Sequence, residues 1–165
     1  MSKFRLLPII LVLLIAGCAE SPKTEALFCP EEQCESRTIA AIKNAETSIE
    51  VAIYSFTSKN IEAALIEAKE RGVRCRLVLD FLQSKSRYSR TKSLGENGFE
   101  IRIAKSGKTM HNKFAIIDHS IVLTGSYNWT KNADTKNDEN LVFIFDKKIA
   151  NEYSTEFFEL WVEAG

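Results

Sequence analysis

The stretch His111-Asn112-Lys113-Phe114-Ala115-Ile116-Ile117-Asp118-His119-Ser120-Ile121-Val122-Leu123-Thr124-Gly125-Ser126-Tyr127-Asn128 decides how this chain is read. Its apolar runs, Lys113 to Ile117 and Ile121 to Thr124, predict two short strands joined by the turn Asp118-His119-Ser120. Six further positions fall into the pattern H-x-K-x4-D-x6-G-S-x-N. In an extended strand, residues i and i+2 share a face. His111 and Lys113 should therefore point at one target, and so should Ser126 and Asn128. A neutral imidazole is a nucleophile, and an ammonium neutralises an anionic oxygen. A hydroxyl and an amide add preorganised donors for charge that develops during reaction. Together these groups can grip and attack a phosphodiester. A lone histidine is usually a surface or core residue, but this set of spaced positions argues for chemistry.

Upstream, Glu35 to Ala45 has a helical apolar face at Ile39, Ile42 and Ala45. Ile49 to Phe56 reads as a buried strand. Ser58 or Asn60 can cap a helix that ends at Arg71-Gly72, and Val73 to Leu79 alternates like a strand. Strand, helix, strand predicts a parallel pair with a right-handed crossover. Asp80 to Ser84 reads as a loop, Lys85 to Gly98 as a basic, helical stretch, and Glu100 to Ala104 as a strand. Leu141 to Phe145 is a further strand. A C-terminal helix follows with Ile149, Tyr153, Phe157, Leu160 and Trp161 on its core side. The expected fold is α/β, with a mixed, largely parallel sheet flanked by helices on both faces.

The N-terminus reads as a targeting segment. Lys3 and Arg5 precede an apolar run, Leu6 to Ala16, that is shorter than the roughly 20 residues of a membrane span. Cys18 follows Ile15-Ala16-Gly17, which resembles a bacterial lipobox. The resemblance implies that residues 1–17 are a lipoprotein signal peptide, that Cys18 is lipidated and that residues 18–27 form a tether. Residues 28–165 are then one domain, exported and anchored to a membrane, facing the periplasm or the cell exterior. Cleavage removes two cations and no acid, leaving 20 basic against 22 acidic residues. A polyanion must therefore be held by a local patch. In an oxidising compartment Cys29 and Cys34 could form a disulfide, the alternative being two free thiols. The chain has only 2 histidines and no acidic cluster, so neither a metal nor a cofactor is expected.

The 111–128 stretch resembles the HKD motif of the phospholipase D superfamily. Ile49–Ser58, Arg71-Gly72-Val73, Leu79-Asp80 and Thr135–Leu141 are similar to its small bacterial endonuclease branch. The resemblance implies a metal-independent phosphodiesterase that works in EDTA through a phosphohistidine formed on His111. It implies phosphate binding by Lys113 and Asn128 with support from Ser126. Glu139 would orient the histidine ring, and Asp118 is the motif aspartate, catalytic or a structural turn acceptor. The family mechanism uses two histidines, and this chain has one motif, which implies a homodimer.

The expected activity is nonspecific endonucleolytic cleavage of DNA or RNA, with single strands a reasonable preference. Lys105, Lys108, Lys131 and Lys136 are candidate nucleic-acid contacts, since phosphate contacts give affinity without sequence reading. Two alternatives stand beside it. One is a phospholipase D acting on glycerophospholipid head groups, and the other is a catalytically weak DNA-binding surface lipoprotein.

Overall fold

The apolar run Ser48–Ile53 forms the strand β2, buried along nearly its whole length, and the rest of the sheet is built outward from it. The computed structural model describes residues 23–165. The expected signal peptide and lipobox, with Cys18, lie outside the described residues. The other strands are β1 (Lys23–Cys29), β3 (Arg74–Leu79), β4 (Glu100–Ile103), β5 (Lys113–Ile117), β6 (Ile121–Gly125) and β7 (Glu139–Phe145). They form one seven-stranded sheet in the order β1-β7-β6-β5-β2-β3-β4. The helices are α1 (Cys34–Lys43), α2 (Lys59–Glu70), α3 (Phe81–Ser84), α4 (Thr91–Glu96), α5 (Lys131–Thr135) and α6 (Lys147–Ala164).

Side-chain alternation splits the core into two layers. Ile49, Val51 and Ile53 of β2 face the layer that holds Ile42 of α1 and Ile61 and Leu65 of α2. Ala52 joins Val78, Phe114, Ile116 and Val122 in the layer that holds Ala150 and Phe157 of α6. Helices thus cover both faces, as expected. The aromatic residues of α6 serve the core: Phe157 is fully buried and Tyr153 packs edge-on against Phe114.

Several expectations need correction. The sheet is mixed but not largely parallel: only β2–β3 and β3–β4 run parallel. The pairs β2–β5, β5–β6, β6–β7 and β7–β1 are antiparallel. A parallel neighbour needs a long crossover, which α2 and the α3–α4 segment supply, whereas β5 and β6 are joined by a tight turn that forces reversal. The tether expected at residues 18–27 is strand from Lys23 onward, paired with β7. It is an edge strand with alternate residues exposed, so its polar half hid the pattern. Asp80 caps the short helix α3, where a loop was expected, and only Thr91–Glu96 of the basic stretch is helical. The cap Ser58 is as expected, its hydroxyl accepting from the Ile61 amide at 3.1 Å. Cys29 and Cys34 are bonded, joining the end of β1 to the start of α1.

Asp118 lies at the far end of β5 from Lys113, on the order of 15 Å away at about 3.3 Å per residue. It takes a left-handed conformation, φ 51°, in the β5–β6 turn. Its carboxylate accepts from the amides of Glu46 (2.9 Å), Thr47 (2.7 Å) and Ser48 (2.9 Å), and from the Thr47 hydroxyl (2.8 Å). The motif aspartate is therefore a clamp between the β5–β6 turn and the entry to β2, and the catalytic alternative for it does not hold. Partial burial disfavours its charge, but the four hydrogen bonds outweigh that and lower its pKa below the ordinary aspartate value. A depressed folded-state value stabilises the fold above the unfolded pKa, and the contribution fades as pH falls toward the folded one. Asp118→Ala should cost about 2 kcal/mol in urea unfolding at pH 7. The gap to the unsubstituted protein should narrow below about pH 4; a gap that stays constant from pH 7 to pH 3 would contradict the clamp.

Candidate active site

Five strand ends converge at one edge of the sheet: the C-terminal ends of β2, β3 and β6 and the N-terminal starts of β5 and β7. The C-terminal edge of parallel strands is where open α/β sheets bind ligands. Here two anchors fix the chain on either side of His111. The Tyr54 amide donates to the Asn112 carbonyl at 2.8 Å. Asp80, buried at the end of β3, accepts from the amides of Leu82 and Gln83 at 3.0 Å through Oδ1, and from the Met110 amide at 3.2 Å through Oδ2.

His111 is exposed at this edge. Its ring lies against Tyr54, with centroids 4.4 Å apart. Lys113 Nζ sits 3.1 Å from His111 Nδ1 and 2.7 Å from the His111 carbonyl oxygen. The two side chains of the i, i+2 pair thus meet at the same edge. An ammonium can only donate, so the Nδ1 it faces is an acceptor, and the network assigns the ring proton to Nε2. Burial lowers the Lys113 pKa below the ordinary lysine value, and the Glu139 carboxylate opposes part of that shift.

Asn128 Oδ1 accepts from the Ser55 amide at 3.2 Å, and its Nδ2 has no protein partner among the described residues. The Ser126 hydroxyl donates to Glu139 Oε2 and accepts from the Asn140 amide at 3.1 Å. Its proton is committed, so Ser126 supports the site and does not offer a donor to a phosphate. Asn137 holds the other Glu139 oxygen at 3.0 Å. Within one chain Glu139 makes no hydrogen bond to His111; Lys113 occupies the ring nitrogen expected for it. The cause is local: Glu139 opens β7 beside the end of β6, where Ser126 reaches it first. Gly125 makes that closeness possible. Its φ is 148°, and a Cβ there would lie 2.2 Å from the Asn140 carbonyl oxygen.

The candidate cations fall in different places. Lys105 and Lys108 border a hollow of about 340 Å³ beside His111, floored by Val78, Met110 and Leu160. Lys108 is paired there with Glu163 at 3.0 Å. Lys131 borders a second hollow of about 620 Å³ with Asn128 and Tyr54. Lys136 is exposed at the end of α5 and borders neither. Cys75 is no rival nucleophile: it is buried in β3, and burial pushes its thiol up to about 11. Among the described residues no three His, Cys, Asp or Glu side chains gather where they could hold a metal ion. Sequence reasoning missed Tyr54, Asp80 and Gln83. Asp80 alone carried a signal, as a helix-capping residue type at a strand end.

Comparison with known proteins agrees with this geometry. A family model described as cardiolipin synthase, PLD-like domain, matches residues 38–161. The mitochondrial cardiolipin hydrolase of Chlamydomonas reinhardtii is 30% identical over 170 aligned residues, covering 88% of this chain and 76% of that protein. Phospholipase D of Rickettsia prowazekii (strain Madrid E) is 36% identical over 131 residues, covering 79% and 64%. Among solved structures, the phospholipase D family member Nuc from Salmonella typhimurium superposes with a TM-score of 0.82 at 33% identity, covering 88% of this chain and 97% of that one.

Removing the Asp80 carboxylate leaves three amides without their partner, one of them at the buried Met110. Asp80→Ala should destabilise the fold by roughly 2–4 kcal/mol in chemical unfolding. A loss under about 0.5 kcal/mol, the size expected of an ordinary surface change, would show that Asp80 does not hold the loop before His111.

Proposed function

The chain belongs to the phospholipase D superfamily and is a phosphodiester hydrolase, and on that premise we propose that it is a metal-independent, nonspecific endonuclease acting as a homodimer. The observation that carries the reading is the His111–Lys113 pair, 3.1 Å apart on an exposed edge, with Asn128 bordering the same hollow as Tyr54, against which the His111 ring lies. Lys113 and Asn128 grip the non-bridging oxygens of a phosphodiester. A His111 nitrogen attacks phosphorus and forms a P–N bond while the P–O bond to the leaving group breaks. The partner's His111 gives that oxygen its proton. Water then attacks phosphorus, surrendering a proton to the partner's His111, and the P–N bond breaks. Neither step calls for a cofactor. Ser126 and Glu139 brace the end of β6 that carries Asn128.

The position of β1 favours nucleic acid over membrane lipid. We place the lipid anchor at Cys18, on an exported protein. Residues 19–22 then link it to Lys23 with a reach of at most about 18 Å. Lys23 pairs with Phe145, at the end of the sheet opposite Glu139 and His111. The seven residues of β1 span on the order of 20 Å. Such an anchor holds the active site away from its own bilayer and open to solution. A phospholipase D reading keeps one specific support, the apolar floor of the 340 Å³ hollow beside His111.

Full-length protein in EDTA, offered single- and double-stranded DNA, RNA, phosphatidylcholine and cardiolipin side by side, separates the readings. DNA cleavage with both lipids intact is expected; lipid cleavage with DNA intact would replace this proposal by the phospholipase. His111→Asn should lower turnover by roughly 10⁴-fold or more. Unchanged turnover would end the phosphohistidine mechanism, and a strict requirement for added Mg²⁺ would end the metal-free one. Because the Lys113 pKa is lowered, its ammonium is lost as pH rises, before an ordinary lysine would titrate. kcat/KM should therefore fall on an alkaline limb below the usual lysine value of about 10.4. In Lys113→Arg that limb should disappear, since a guanidinium keeps its proton; a limb that persists unchanged belongs to another group.

A further inference from the structure

The two hollows that meet at the active site differ in charge. On the α6 side, Glu152 and Glu156 face His111 and Lys113, and Glu156 and Glu163 border the apolar-floored hollow. Lys108 on that side is already matched by Glu163. The 620 Å³ hollow on the other side is bordered by no carboxylate. It is entered from the catalytic pair through Tyr54, whose ring lies 4.4 Å from that of His111 and whose hydroxyl accepts from Gln83 at 3.1 Å. Lys59 and Lys131 border it, and neither is in an ion pair among the described residues. Tyr88 borders it too, with 58% of its surface exposed, its hydroxyl accepting from Arg87 and the Arg87 guanidinium lying over its ring 4.5 Å from the centroid, so that a cation and an aromatic ring stand together at the groove. Arg90 ties the Tyr88 backbone in place, donating to its carbonyl at 3.2 Å, and is itself braced against buried Glu62 at 3.5 Å.

We propose that this hollow is the track of one nucleic-acid strand, with Lys59 and Lys131 holding phosphates next to the scissile one and Tyr88 stacking a base. The proposal rests on the nuclease reading of the site and gives it a direction. A polyanion leaving the catalytic phosphate is repelled by the carboxylates of α6 and drawn toward Lys59 and Lys131. Stacking on an aromatic face is indifferent to base identity, which suits cleavage without sequence preference. A single-phosphate lipid offers nothing to two lysines spaced along a groove, and cardiolipin offers only one phosphate beyond the scissile one, whereas a nucleic-acid strand repeats them. The track ends where Glu35 and Asp134 border the adjoining hollow beyond Lys59 and Lys131.

The test is binding of a fluorescent single-stranded DNA oligonucleotide to full-length protein carrying His111→Asn, so that cleavage does not intervene. Adding Tyr88→Ala should weaken binding about 5- to 100-fold. Adding Lys59→Ala or Lys131→Ala should weaken it and lower the slope of log Kd against log salt by about 0.7 for each cation removed. Adding Lys108→Ala, on the α6 side, should change the affinity by less than about twofold. The track is overturned if Lys108→Ala weakens binding as much as Lys59→Ala does, or if Tyr88→Ala and both track lysines leave it unchanged. DNA cleavage by the unsubstituted protein reports on the nuclease reading and this binding series on the track, so each can fail without the other.

Discussion

The register of β5 between β2 and β6 is the constraint on which the site depends. Side chains alternate along a strand, so a slip of one residue would turn Lys113 to the opposite face of the sheet and away from the residues that β2 and β6 bring to this edge. Three contacts hold the register. At one end the Asp118 carboxylate collects four donors from Glu46, Thr47 and Ser48, tying the β5–β6 turn to the start of β2. At the other end the Tyr54 amide meets the Asn112 carbonyl, and Asp80 holds Met110. Between them Ala115 and Ile117 enter one core layer, Phe114 and Ile116 the other, and neither set can leave without exposing apolar surface. The motif aspartate and the motif lysine thus serve one strand from opposite ends, the first as its lock and the second as its working tip.

The same alternation explains which parts of the fold were legible in the sequence. The strand pair of the motif, the β2–α2–β3 unit and the core face of α6 each carry a periodic apolar pattern, and each formed where expected. Strand direction was not legible, because parallel and antiparallel neighbours of a buried strand have the same composition. β1 was missed for a related reason. An edge strand that buries only Leu27 and Cys29 fully opens on Lys23, Thr24 and Glu25, which read as a polar tail. Helix α5 is five residues long and buries one side chain, Ala133, too little for any periodicity to show.

At the site itself, residue types were legible and pairings were not. His111, Lys113 and Asn128 meet at one edge because their spacing puts them at the ends of adjoining strands. The partners of Ser126 and Glu139 depend on how closely β6 approaches β7, which Gly125 sets and no spacing rule reveals. Charge was misleading when counted along the chain. Lys105 and Lys108 lie within a few residues of His111, yet the fold lays the carboxylates of α6 beside them. Lys59, more than fifty residues away in sequence, reaches the same mouth with Lys131 and with no acid between them.

The Lys113–His111 contact shows what a single chain can and cannot complete. With the ammonium on Nδ1, the ring has a fixed orientation and its proton on Nε2. A phosphate arriving at Lys113 offers that ammonium a full negative charge in place of a neutral ring nitrogen. In the proposed mechanism the attraction of that full charge draws the lysine from the ring to the substrate and uncovers a ring nitrogen, so that binding and activation of the nucleophile would be one event. The general acid is a separate need. Among the described residues no carboxylate hydrogen-bonds to His111, and His119, the second histidine, sits in the β5–β6 turn at the other end of the strand, 3.2 Å from Ser154. The proposed mechanism meets that need with a second copy of the exposed His111 edge, which a two-fold axis would bring opposite the first.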